Sequence, residues 1–204
     1  MKGLMFNNKY GLEDAVLNGT KTMTRRKLNI PRTFNGIFVA GFRKYTNSLG
    51  EWFTDLYDED ESCIDGSTLK PPYDISETIA IKQPYKNVIK DSDLDGILLC
   101  KDTAGWNNKM FVRNDLMPHG VKILNIFPQR LQDISNEDCL KEGITDVVVG
   151  CEYTMYGFIN REKGDYDLFK TPREAYASLI DKISGNGTWI NNDWVWALEF
   201  QLER

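Results

Sequence analysis

The chain of 204 residues has a single histidine, His119. That excludes a metal centre built from imidazoles, which needs several of them. Its four cysteines, Cys63, Cys100, Cys139 and Cys151, include no C-x-x-C pair. They read as reduced thiols of a cytoplasmic protein, not as a disulfide framework. A cysteine-plus-carboxylate site finds no supporting spacing, so neither a metal nor a cofactor is expected. No apolar run approaches the ~20 residues of a membrane span. The apolar part of Met1–Phe6 is too short for a signal peptide. There is no internal repeat and no low-complexity tract. Regular alternation of strands and helices is missing too, which argues against a doubly wound sheet.

What is present suits one domain over residues 1–204 with a core of ordinary size. Hydrophobic residues make up 41% and charged residues 27%. The net charge of −5 argues against broad binding to duplex nucleic acid, but the charge is segregated. Residues 1–50 hold nine lysines and arginines against Glu13 and Asp14, whereas residues 51–66 hold seven acids and no base. A local basic patch allows a nucleotide or a short single strand to bind. The acidic run reads as a solvated face. Polar content marks about 43–70 as an insertion or long mobile hairpin.

Periodicity and capping residues outline the remaining elements. Met1–Phe6 reads as a first strand and Tyr10–Asn18 as a short helix burying Leu12, Ala15 and Val16. Strands are expected at Gly36–Tyr45 and Trp52–Tyr57 around a turn at Asn47–Gly50, then at Thr78–Lys82, Ile97–Lys101 and Val121–Phe127. Ser135 with Asp138, and Thr171-Pro172-Arg173-Glu174, open two helices that stop at Gly143 and Gly185. Trp194–Leu202 is the clearest strand. Met110, Phe111 and Met117 read as core, and Trp106 as packing or a base-stacking surface.

The densest chemistry lies in Gly19-Thr20-Lys21-Thr22-Met23-Thr24-Arg25-Arg26. Gly19 suits a helix C-terminus needing positive φ. If the chain turns after it, Lys21 and Thr24 reach one small site; as a straight strand they would point to opposite faces. A cation beside a hydroxyl suits a phosphate, a carboxylate or an oxyanion, and Arg26 could clamp a phosphate or a base edge. The same cations would also complement a helix dipole in solvent.

These eight residues fit G-x-K-x-x-T-x-R, and three further blocks follow in order: Thr78–Tyr85; Asn108–Phe111 through Met117-Pro118 to Ser135; and Asn191–Trp196 with its strand. Together they resemble the ASCH domain family, in the form often carried by phages and prophages. About 35–75 and 145–170 remain unmatched. The resemblance implies an α+β fold: a PUA-like mixed β-barrel with a few short helices around it and a cleft beside the signature loop. It implies single-stranded RNA, a nucleoside or a nucleotide as partner; with the bottom-up candidates included, the residues expected to hold it are Lys21, Thr24, Arg25, Arg26, Lys82, Gln83, Trp106 and Lys109. In the branch of the superfamily that hydrolyses acetylcytidine, the signature Lys and Thr act with a Glu ending the second block. Carried over, that set is Lys21, Thr24 and Gln83. A carboxamide cannot relay a proton as a carboxylate does. The resemblance thus implies a binding module before an amidohydrolase of acylated cytidines, with a phage interaction scaffold as a third reading.

Overall fold

The computed structural model describes residues 1–46, 52–88, 102–150 and 153–203. The expected turn at 47–50 and strand at Ile97–Lys101 lie outside them. The architecture is α+β, with twelve strands and five α-helices among the described residues.

Five strands make the central sheet, in the order β1 (Gly3–Leu4), β7 (Thr78–Ile81), β8 (Gly120–Arg130), β12 (Trp194–Glu203) and β2 (Met23–Lys27). Only the β1–β7 pair is parallel. Among the described residues no pairing joins β1 to β2, so this sheet is open at both edges.

The long β8–β12 ladder forms because both segments alternate large apolar residues. Val121 and Ile123 are buried, Leu124 is 47% exposed, and Ile126 is buried again. That break in parity is a β-bulge: Glu199 pairs with Asn125 and Phe200 with Ile123, leaving Leu124 as the extra residue. Along β12, Val195, Trp196, Ala197 and Leu198 are all buried, as expected of a central strand covered on both faces.

Helices α1 (Leu12–Leu17) and α4 (Pro172–Ser184) add Leu12, Val16, Ala175, Tyr176 and Leu179 to the core. Thr171 and Glu174 form the expected capping box of α4, with Pro172 at its start. Helix α3 (Asn136–Lys141) begins where the Ser135 hydroxyl accepts from the Asp138 N–H.

Two regions depart from expectation. The unmatched stretch after Gly143 builds a second antiparallel sheet, with β10 (Tyr153–Asn160) between β9 (Thr145–Val149) and β11 (Asp165–Phe169). Phe158 from β10 meets Tyr10 edge-on at 5.6 Å and joins the main core. In the polar stretch near 43–70 the expected strands do pair, β5 (Gly41–Thr46) antiparallel with β6 (Trp52–Tyr57), and the departure is that Leu56 and Ile64 form a small core with Val39. Met110 and Phe111, expected in the core, are 61% and 62% exposed in a 3-10 turn.

Leu198 is fully buried on the central strand, so Leu198→Ala should cost about 2–5 kcal/mol in urea unfolding. Ile190→Ala, at a site 80% exposed, should stay within about 0.5 kcal/mol.

Candidate functional site

The site begins where α1 ends. Gly19 adopts φ +77°, and the N–H groups of Thr20 and Lys21 both donate to the Ala15 carbonyl at 2.9 Å. This turn is the one Gly19 was expected to permit. The chain then enters β2, anchored as Thr22 N–H donates to Lys141 O and Thr22 O accepts from Phe200 N–H. Thr24 pairs with Leu198 and Arg26 with Trp196, so these two side chains share a strand face.

A cavity of about 90 Å³ opens beside this segment, and Lys21, Thr24, Arg25 and Arg26 all line it with Glu142 and Tyr176. Lys21, Thr24 and Arg25 are each at least nine-tenths buried. Their charges are met by a carboxylate that no sequence motif marked. Glu142 follows α3, and its Oε2 accepts from Lys21 Nζ at 2.6 Å while its Oε1 accepts from Arg25 NH1 at 2.9 Å. Lys21 Nζ also donates to the Glu142 backbone carbonyl at 2.6 Å. Arg25 NH2 reaches Asp138 Oδ2 at 2.9 Å. With its amide oxygen facing the guanidinium, Gln129 accepts from Arg25 NH2 and Nε at 3.0 and 3.1 Å. Gly143, next in the chain, sits at φ +98°; a Cβ there would lie 3.1 Å from Leu12 and 3.5 Å from the Lys21 stem. The positive φ, together with the close approach of Leu12, favours glycine there.

The partnering separates structural from available groups. Arg25 is fully engaged. Lys21 uses two of its three donors on Glu142. The Thr24 hydroxyl has no hydrogen bond to any described residue. Arg26 NH2 donates to Met5 O at 2.7 Å, but Arg26 Nε is buried without a partner, as is the Tyr176 hydroxyl. Native structures rarely leave such groups unpaired without a functional or solvent role.

Burial lowers the Lys21 pKa from its ordinary value, with the Glu142 charge opposing the shift. Burial also lowers that of Arg26. For Arg25 burial is again the largest single influence, but Glu142, Tyr176 and Asp138 together oppose it and the net shift is upward. Burial pushes the Tyr176 hydroxyl well above its usual range, and the Cys139 thiol up to about 12.

The other expected site residues lie elsewhere. Gln83 is buried, and its Nε2 donates to Glu13 Oε1 at 3.2 Å. Glu13 also accepts from Asn8 at 3.3 Å and from Lys109 at 2.7 Å, and Lys109 makes a second bond to Phe6 O. Lys82 donates to Met110 O at 3.3 Å, and Trp106 is half-buried in a turn. None of Lys82, Gln83, Trp106 and Lys109 lines the Lys21 cavity. The carboxylate beside Lys21 comes from Glu142, 121 positions away, not from the neighbourhood of Gln83.

No family model, curated protein or solved structure matches the chain. Among the described residues no helix is long and apolar enough to cross a membrane.

Two outcomes follow from the ion cluster. Glu142→Ala would leave buried Lys21 without a carboxylate partner and Arg25 with Asp138 alone, and should cost about 3–5 kcal/mol in urea unfolding. Glu61→Ala, in an exposed pair with Arg43, should cost no more than about 1 kcal/mol. The Cys139 thiol, held at about 12 in the fold against an ordinary 9.0, keeps its proton where the unfolded chain loses it. Its stabilising contribution is thus complete below pH 9 and falls as pH rises toward 12, by up to about 1.4 kcal/mol per pH unit. Cys139→Ala should flatten that alkaline loss in a series of urea melts.

Proposed function

We propose that this protein is an ASCH-type recognition module that takes the polar edge of a modified nucleoside, or the end of a single-stranded RNA, into the cavity beside residues 19–26. The observation that carries this reading is the convergence of Lys21, Thr24 and Arg26 on one cavity in which buried donors stand unpaired. A ligand carbonyl, carboxylate or phosphate oxygen would satisfy Arg26 Nε, the Thr24 hydroxyl and the third Lys21 proton at once. At about 90 Å³ the cavity is far smaller than the ~300–1,000 Å³ of drug-sized sites. It accepts a compact group, with the rest of the ligand outside. The architecture is α+β, but its central sheet is open at both edges among the described residues, so the PUA-like barrel is supported by the resemblance of the G-x-K-x-x-T-x-R signature alone.

Hydrolysis of an acylated cytidine is the second reading, and one observation favours it. Glu142 brings a carboxylate to within 2.6 Å of Lys21, where Gln83 brings none. Thr24 could then attack if a neighbour took its proton. Both Glu142 oxygens, however, already accept from cations. Either Lys21 or Glu142 would have to leave that pair to act as base, so binding without turnover is the better-supported function.

Arg26→Ala should weaken binding of cytidine monophosphate or acetylcytidine roughly 10–100-fold by calorimetry, the scale of one charge-assisted contact. Lys21→Ala combined with Arg26→Ala should weaken it further. Acetylcytidine should be recovered intact after incubation with the natural chain. Robust deacetylation abolished by Thr24→Ala would replace the binding reading with the enzymatic one.

A further inference from the structure

Beyond the small cavity, the surface continues past Arg26 as two wider depressions. The first, about 400 Å³, shares Arg26 with the cavity and is lined by Lys27, Lys70, Tyr73 and Trp196. The second, about 540 Å³, shares Lys27 and Leu28 with the first and carries Phe42, Tyr57, Arg130 and Trp194. Cations and aromatic rings thus line both of these adjoining depressions. Lys27, Lys70 and Arg130 are exposed. Lys70 makes no ion pair among the described residues, and the Lys27–Asp193 pair is solvent-exposed, so a phosphate can compete for it. The Arg130 guanidinium lies 4.7 Å from the centre of the Trp194 ring, and Lys44 Nζ lies 5.3 Å from it. Both charges are thereby held at the rim, and Arg130 offers a flat face to a further ring.

We infer that this face is a track for single-stranded nucleic acid, in which Lys27, Lys70 and Arg130 meet successive phosphates while bases lie against Tyr73 and the Arg130–Trp194 stack. The inference rests on the nucleoside reading of the cavity, at whose Arg26 edge the track begins. An acidic peptide would use the same cations, but it would leave the interleaved aromatic surface without a planar partner. The net charge of −5 disfavours broad duplex binding.

The test compares uridine monophosphate with a fluorescent oligouridylate of about eight nucleotides, within the span of such sites. The natural chain and a Lys27→Ala/Lys70→Ala/Arg130→Ala variant are measured across a salt series, with circular dichroism to confirm folding. Lys70→Glu alone, at an exposed position without an ion pair, serves if the triple variant does not fold. The oligonucleotide should bind the natural chain at least tenfold more tightly than the monophosphate. The triple variant should lose that advantage, and its log–log salt slope should shrink by about 2, close to 0.7 per lost phosphate contact. Its affinity for the monophosphate should be unchanged. An oligonucleotide that binds no better than the monophosphate, or that ignores the variants, overturns the track. So does a glutamate-rich peptide of similar length that binds as tightly as the RNA. If the monophosphate fails to bind while the oligonucleotide still depends on the three cations, the cavity reading falls and the track stands.

Discussion

The Glu142 carboxylate holds the site together. It accepts from Lys21 with one oxygen and from Arg25 with the other, deep enough that water contributes little. Taking three ions out of water is costly, and only close geometry offsets the cost. That geometry is supplied on several sides: Asp138 and Gln129 complete Arg25, and the Glu142 backbone carbonyl gives Lys21 a second acceptor. The cluster also joins distant parts of the chain. It fastens β2, at the edge of the central sheet, to α3, and α3 leads into the second sheet. Replacing the ions with apolar residues of similar size could preserve stability, but it would remove the polar wall of the cavity.

A division of labour among the basic residues follows. Arg25 is structural, because each of its three guanidinium nitrogens is already bonded within the cluster. Lys21 is shared, anchored by two bonds with one donor left over. Arg26 is the residue that the proposed binding reading assigns to the ligand: it is mostly buried, with Nε unpaired and its guanidinium 5.9 Å from the Phe6 ring centre. Three cations within six residues thus take different roles: Lys21, before β2, and Arg25, on it, both reach Glu142, whereas Arg26 faces the opposite way from Arg25 and donates to Met5 O.

Local chemistry was legible in the sequence where it decides local structure. Gly19 at the helix end, the Ser135 and Thr171 caps and the apolar stripe from Trp194 all rest on interactions within a few residues, and each appears where the pattern placed it. The meeting of Lys21 with Thr24 was legible too, given a turn at Gly19. What the sequence hid was set by contacts distant along the chain. Glu142 lies in an ordinary helix-end context and acquires meaning only when α3 packs on β2. Gln83 occupies the position expected of a site residue, yet it faces Glu13, which α1 buries against the expectation for an acid on a surface helix. The β9–β11 sheet carries mostly exposed, polar-flanked residues, so its strands show little alternation apart from Phe158 and Asn160.

The central claim is that Glu142 immobilises Arg25 and leaves Arg26 to meet the ligand. The most direct measurement is nitrogen-15 NMR of the arginine Nε–H groups during titration with cytidine monophosphate. The account predicts a saturable shift at Arg26 Nε with Arg25 Nε unmoved. A saturating ligand that leaves Arg26 unchanged, or that shifts Arg25 instead, would contradict it.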